Sequence, residues 1–237
     1  LAPGRNRLAG ARWYSDTHYV MSWRSSPLSS EPVMSPQVML ATSNPHKLDE
    51  VSAILGSIGI EVVGLDVLDV LPPEPVEDAD TFEGNARLKA IGYARSTGRR
   101  CLADDSGLEV DALGGAPGIH SARYSGVGDC REERDAANNV KLLEAMREVA
   151  QGDRAARFVC CMCLADPDGT VVAESRGTFE GTIACTPRGG HGFGYDPLLI
   201  LPEGITSAEL SPDEKNRRSH RAVSTRLLVD QLSRPIE

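Results

Sequence analysis

The sequence holds no apolar run near the roughly 18 to 20 residues that a membrane-spanning helix needs, so no membrane association is expected. Nor is there a surplus of basic charge. Its 25 Lys and Arg stand against 34 Asp and Glu, a formal net charge of −9. An acidic surface repels phosphate backbones, which excludes broad nucleic-acid binding but not a locally basic pocket for a small phosphorylated ligand. No G-x-x-x-x-G-K-[ST] stretch occurs, so any phosphate is held by something other than a P-loop. No internal repeat is visible. Zinc ligation by Cys161 and Cys163 is not expected, since that cluster lacks the usual spacing and partners. The six cysteines are read as reduced, buried, small apolar side chains of a cytoplasmic protein.

Hydrophobic residues make up 41% of the 237 and charged residues 25%, the ordinary globular balance. That length suits one generous domain or two small ones. Residues 1–36 differ from the rest. They hold Arg5, Arg7, Arg12 and Arg24 against only Asp16 and Glu31, are rich in Ser and Pro, and lack periodicity. They are expected to be a disordered extension, or translation from upstream of a start at Met34. An Arg-rich, acid-poor opening is also a transit-peptide pattern, though no clear amphipathic helix accompanies it. The folded domain is expected over 37–237.

Val38-Met39-Leu40-Ala41-Thr42 reads as a buried strand. Asn44 is a good N-cap and Pro45 a good first helical residue, with Leu48, Val51, Leu55 and Ile58 on one face of the helix that follows. Residues 61–64 read as a second strand and 66–80 as an acidic loop. Asp80 and Glu83 have capping-box spacing for a helix to about Thr97. Cys101-Leu102-Ala103 is a short strand leading into Asp104-Asp105-Ser106-Gly107, with a Gly-rich loop over 107–128. A helix is expected over 131–149, with Ala136, Val140, Leu143 and Met146 on one face. Residues 157–165 and 170–179 flank the turn Asp166-Pro167-Asp168-Gly169 and form a hairpin, so the sheet is mixed. A further strand is expected near 182–185 and another over 198–201. A last helix, capped by Ser211-Pro212-Asp213-Glu214, is expected to run to about Leu232. The fold class is α/β with a long central mixed sheet.

Five stretches could carry chemistry. Thr42-Ser43-Asn44-Pro45-His46-Lys47 lies where a strand turns into a helix, and helix N-termini favour anions. Lys47 adds a full positive charge. Asp104 and Asp105 end an apolar strand, where open α/β sheets place ligands. Adjacent strand residues point opposite ways, so one carboxylate can face a site while the other is held by structure. The facing one can bind Mg²⁺ or take a proton from water. Glu74, Glu77 and Asp78 offer a second metal carboxylate. Gly192-Phe193-Gly194-Tyr195-Asp196-Pro197 offers a ring face for a base and an acceptor for a base N–H. Lys215 and Ser219-His220-Arg221 offer donors suited to a 6-oxo purine. Each stretch also has a plain structural explanation: a capped helix, a turn, a solvated loop, a core aromatic or a polar helix face. Together they amount to a kit for nucleotide hydrolysis.

Residues 38–232 resemble the inosine triphosphate pyrophosphatases, also called the XTP/dITP diphosphatases. The resemblance rests on Ala41–Lys47, Thr81-Phe82-Glu83-Gly84-Asn85-Ala86, Ala103-Asp104-Asp105-Ser106-Gly107-Leu108, Gly114-Gly115-Ala116-Pro117-Gly118 with Ser121-Ala122-Arg123-Tyr124-Ser125-Gly126, Gly192–Pro197 and Ser219-His220-Arg221. It implies an elongated mixed sheet flanked by helices, with a cleft between two lobes, and a homodimer. It implies hydrolysis of ITP, dITP and XTP to the monophosphate and pyrophosphate, by attack of Mg²⁺-bound water on the α-phosphate. Asp105 would be general base and metal ligand, with Glu77 the other metal carboxylate. Thr42, Asn44, Lys47 and Lys89 would hold phosphates, flanked by Ser43, Pro45 and His46, with Ser106 near the substrate. Phe193, Gly194, Tyr195, Asp196, Lys215, His220 and Arg221 would form the base pocket. His191 stands where many bacterial relatives have Gly, and Ala222 where Gly is usual after Ser-His-Arg. A Maf-type pyrophosphatase with another base preference is the nearest rival, against which the Ser-His-Arg triplet speaks. A non-catalytic nucleotide sensor is the other, against which Asp105 and Glu77 speak.

Overall fold

The computed structural model describes residues 37–233. The expected extension over 1–36 lies outside the described residues. A six-stranded mixed sheet runs in the order β2-β1-β3-β4-β5-β6. β1 (Gln37–Leu40) pairs in parallel with β2 (Glu61–Val63) on one side and β3 (Cys101–Val110) on the other. From β3 onward every pairing is antiparallel, through β4 (Ala155–Ala165), β5 (Val171–Ile183) and β6 (Leu199–Ile200).

The β4–β5 turn follows its sequence. Gly169 adopts φ +89°, its N–H donates to Asp166 O at 2.8 Å, and Thr170 N donates to the Asp168 carboxylate. Residues 182–183 are no separate strand, because β5 continues through them against β4. β3 is likewise longer than expected. It runs straight through Asp104–Gly107, paired to β4 along its whole length. The adjacent aspartates therefore sit mid-strand, where the ladder satisfies the backbone and leaves the side chains for other work.

The helices flank both faces. α1 (Pro45–Gly56) is capped by Asn44, whose side chain accepts from His46 N. Val51 and Leu55 are buried, whereas Ile58 falls beyond the helix and is half exposed. α2 (Phe82–Thr97) is capped by Thr81 rather than Asp80. α3 (Arg131–Ala145) stops short of Val149, since the Arg154 guanidinium takes the Met146 and Val149 carbonyls. Its buried line is Asn138, Leu142 and Met146, leaving Val140 exposed. The expected last helix is two: α4 (Pro212–Arg218) and α5 (His220–Leu232), broken at Ser219, which is extended and caps α5 with its hydroxyl.

One core lies between α2 and the sheet, with Met39, Ala41, Phe82, Ala90, Ala103 and Cys161. A second gathers Leu108, Val110, Leu142, Phe158, Leu198 and Leu210 beyond it. Cys101, Cys160, Cys161 and Cys163 are buried, but Cys130 and Cys185 are exposed. Cys160 and Cys163 do have C-x-x-C spacing, yet odd offsets on a strand face opposite sides of the sheet. Burial pushes both thiols up to about 12. Among the described residues no helix is long and apolar enough to cross a membrane.

Candidate active-site cleft

Strand alternation sets the centre of the cleft. Asp104 pairs with Met162 across β3–β4 and Asp105 with Cys161. Met162 meets Thr225 of α5, while Cys161 belongs to the α2 core. Asp104 thus faces α5 and Asp105 faces α2.

Asp104 is 1% exposed. Its Oδ2 lies 3.0 Å from Lys47 Nζ and 3.2 Å from Arg221 Nη2. Burial raises its proton affinity, but Lys47, Arg221 and Lys89 outweigh that and hold the carboxyl well below the usual range. Asp105 receives 3.1 Å and 3.0 Å hydrogen bonds from Asn85 Nδ2 and Ser106 N. Burial wins there over the attraction of Lys47 and Lys89, so its proton affinity is raised. One carboxylate is a fixed anion and its neighbour is poised to take a proton.

A cavity of about 260 Å³ opens beside this pair. Thr42, Ser43, Asn44 and Lys47, at the turn into α1, line it. The Thr42 hydroxyl accepts from Asn44 N, which fixes the turn into α1. Glu77 enters from the acidic loop, whereas Glu74 and Asp78 stay exposed. Glu77 meets Lys89 at 2.9 Å, and Lys89 Nζ lies 3.4 Å from Asp104 O. Burial lowers the Lys89 pKa, but Asp104 and Glu77 more than restore it, so it stays charged.

The same cavity is lined by Ser106, Phe193, Gly194, Tyr195, Asp196, Lys215, His220 and Arg221, the set expected to form the base end. Gly192, at φ +78°, lets the loop close, since a Cβ there would lie 2.0 Å from Asp196 Oδ2. Asp196 is held by structure: it accepts from Phe193 N, Ser207 Oγ and Lys215 Nζ. Tyr195 turns its hydroxyl to Ser121 O, 2.9 Å away in the core. Arg221 donates to Asp104, Ser106 Oγ and Glu50. His220 stacks on Phe158, centroids 5.0 Å apart. Burial, then Arg221 and Lys215, push its pKa far down, so the ring is neutral.

Fifteen of the seventeen expected site residues therefore line one cavity; Pro45 and His46 do not. Pro45 is the exposed first residue of α1. His46 is exposed and stacks on Phe193 at 5.3 Å. Sequence reasoning assigned no role to Asn85, Glu50, Asp135 or Arg131. Asn85 lies on the buried side of α2 between Phe82 and Ala86, a position where a polar residue signals a partner. Glu50 bridges Lys215 and Arg221, and no spacing in the sequence announces that.

A mixed-sheet α/β protein whose central strand carries a lysine-rich, carboxylate-bearing cleft lined by an aromatic ring is the class that fold and site define. The chain belongs to the Ham1 family, whose family model matches residues 38–231. A dITP/XTP pyrophosphatase of Exiguobacterium sp. is 49% identical over 198 residues, covering 83% of this chain and 96% of that protein. One from Pseudomonas aeruginosa is 49% identical over 201 residues, with 83% and 96% covered. The solved structure of a HAM1 protein from Coxiella burnetii superimposes with a TM-score of 0.73 at 38% identity, covering 83% of this chain and 98% of that one.

Proposed function

We propose that the chain hydrolyses the non-standard purine nucleotides ITP, dITP and XTP to the nucleoside monophosphate and pyrophosphate. The observation that carries this reading is the meeting, in one cleft, of Lys47 and Lys89 with Asp105 and Glu77, and of Phe193 with the cations beyond them. Relatives named dITP/XTP pyrophosphatase over most of their length point the same way.

The triphosphate lies against the first turn of α1, Lys47 and Lys89. Water attacks the α-phosphorus. A new P–O bond forms, the bond to the bridging oxygen breaks, pyrophosphate leaves, and the water proton passes to Asp105. Asn85 holds the Asp105 carboxylate in place for this transfer. The base stacks at Phe193, with Lys215, His220 and Arg221 around its edge.

The residues fit Mg²⁺ as the cofactor. Among the described residues no group of three or more His, Cys, Asp or Glu forms a cage. Two carboxylates suit an ion that takes its remaining oxygens from phosphates and water. Asp105 and Glu77 would hold it, and when bound it supplies charge neutralisation of the phosphates and a lower pKa for water. We further propose that residues 37–237 carry the whole activity, in the cytoplasm, as a homodimer, which light scattering on the purified chain would show.

Pyrophosphate release from ITP, XTP, dITP, ATP, GTP and dTTP, with and without Mg²⁺, tests the reading. The expected order is ITP and XTP best, GTP well behind and ATP behind GTP. ATP meets donors with its 6-amino donor, a mismatch worth about 10⁴-fold in sites built on a buried hydrogen bond. ATP cleaved as fast as ITP would overturn it.

A further inference from the structure

Three cations approach the Phe193 ring: Arg131 Cζ at 4.9 Å, Lys215 Nζ at 5.0 Å and Arg221 Cζ at 5.9 Å from its centroid. Two of them are neutralised on the spot. Lys215 sits between Asp196 at 2.6 Å and Glu50 at 3.1 Å. Arg221 is held by Asp104 and Glu50.

Arg131 is different. Its nearest carboxylate, Asp135, is 3.8 Å from Nε, beyond hydrogen-bond range. That same Asp135 oxygen already accepts from Gly194 N at 2.9 Å. The Arg131 Nε is buried and has no hydrogen-bond partner. The residue stands at the start of α3 and lines the same cavity as His220 and Arg221. The base end of the cleft therefore carries one cation whose carboxylate partner stands off at 3.8 Å and whose Nε makes no hydrogen bond.

A guanidinium in that state favours a base with an additional acceptor, and favours it more if the base is anionic. Xanthine differs from hypoxanthine in this respect. It carries a 2-oxo group, and the ring N–H beside that group is far more acidic than any in hypoxanthine. We propose that Arg131 is a specificity-determining residue that tilts the cleft toward XTP over ITP by donating to the 2-oxo edge of the base. This rests on the reading that the base binds at Phe193.

The test is kcat/KM for XTP and ITP, by pyrophosphate release at one pH, for the full chain and for Arg131→Met, Arg131→Lys and Phe193→Ala. Methionine keeps the length and the contact with the ring but not the charge or the donors. The XTP:ITP ratio is expected to fall about five- to thirtyfold in Arg131→Met, the range for one charge-assisted hydrogen bond that solvent partly screens. Arg131→Lys should recover part of it. A ratio unchanged in Arg131→Met, or both substrates falling together at constant ratio, overturns the proposal and leaves Arg131 as a strut for the ring. If Phe193→Ala leaves both substrates at wild-type kcat/KM, the base does not bind at Phe193 and the underlying reading fails with it. A ratio that falls in Arg131→Met while Phe193→Ala weakens both substrates supports both.

Discussion

Asp104 and Asp105 are neighbours on β3 that face opposite helices, Asp104 bound to Arg221 of α5 and Asp105 to Asn85 of α2. One carboxylate is surrounded by cations and keeps its charge at any ordinary pH. The other is buried with less compensation, and its pKa is raised.

Asp105→Asn is expected to cut turnover by about 10²- to 10⁴-fold, the usual contribution of one general base. The carboxyl must be ionised to accept a proton, so wild-type activity should fall as pH drops through a pKa above the usual aspartate value. A buried carboxylate with a raised pKa costs stability above that pKa. The variant should therefore melt no lower than wild type. A retained rate above a tenth of wild type, or a marked drop in Tm, would remove Asp105 from this role.

Asp104→Ala should behave in the opposite way, as a folding defect. It strands Lys47 and the fully buried Arg221 beside each other, and breaking a buried pair costs about 3–5 kcal/mol. The wild-type sign follows from the depressed pKa. Asp104 contributes stability above the unfolded carboxylate value near 4, and that contribution is lost as pH falls below it. Denaturant unfolding at pH 7 and pH 3.5 would measure both: the gap between variant and wild type should narrow at the lower pH.

Glu50→Gln is expected to act on binding. Glu50 holds Lys215 at 3.1 Å and also bonds Arg221, so its charge fixes two side chains at the base end. Loss of the charge should raise KM for ITP about tenfold, equivalent to about 1.4 kcal/mol, with kcat little changed. A fall in kcat at constant KM would place its influence at the phosphate end instead.

Gly107→Ala tests the packing behind the cleft. A Cβ at this position would lie 2.4 Å from Ser121 Oγ and 2.6 Å from Gly118 O. Forcing the β3 backbone away from the turn over 118–123 should cost about 1–3 kcal/mol, measurable as a lower Tm. An unchanged Tm would mean that this turn yields freely.

Much of this was legible in the sequence because it rests on local rules. The Asn44 cap, the Asp166–Gly169 turn and the Ser211 capping box are each decided within four residues. So was the division of labour between Asp104 and Asp105, which needs only the alternation of a strand. What the sequence concealed depends on distant partners. β3 continues past Gly107 because β4 pairs with it, although Asp-Asp-Ser-Gly taken alone favours a turn. Asp196 looks like a free acceptor until Lys215 and Ser207 arrive from later in the chain. Arg131 looks like an ordinary first-turn residue until Phe193, sixty-two positions on, comes to lie beneath it.

The break at Ser219 divides two cations of the cleft between two helices. Lys215 and Arg221 ride on two short rods that meet at a single extended residue, and Glu50 ties the rods together from a third. That third rod, α1, also carries Lys47, and Lys47 shares the Asp104 carboxylate with Arg221, so the three helices are pinned to one another through two acids. Selection on which base is accepted therefore cannot shift the joint or its tie without also pulling on a lysine of the machinery that cuts the phosphate chain.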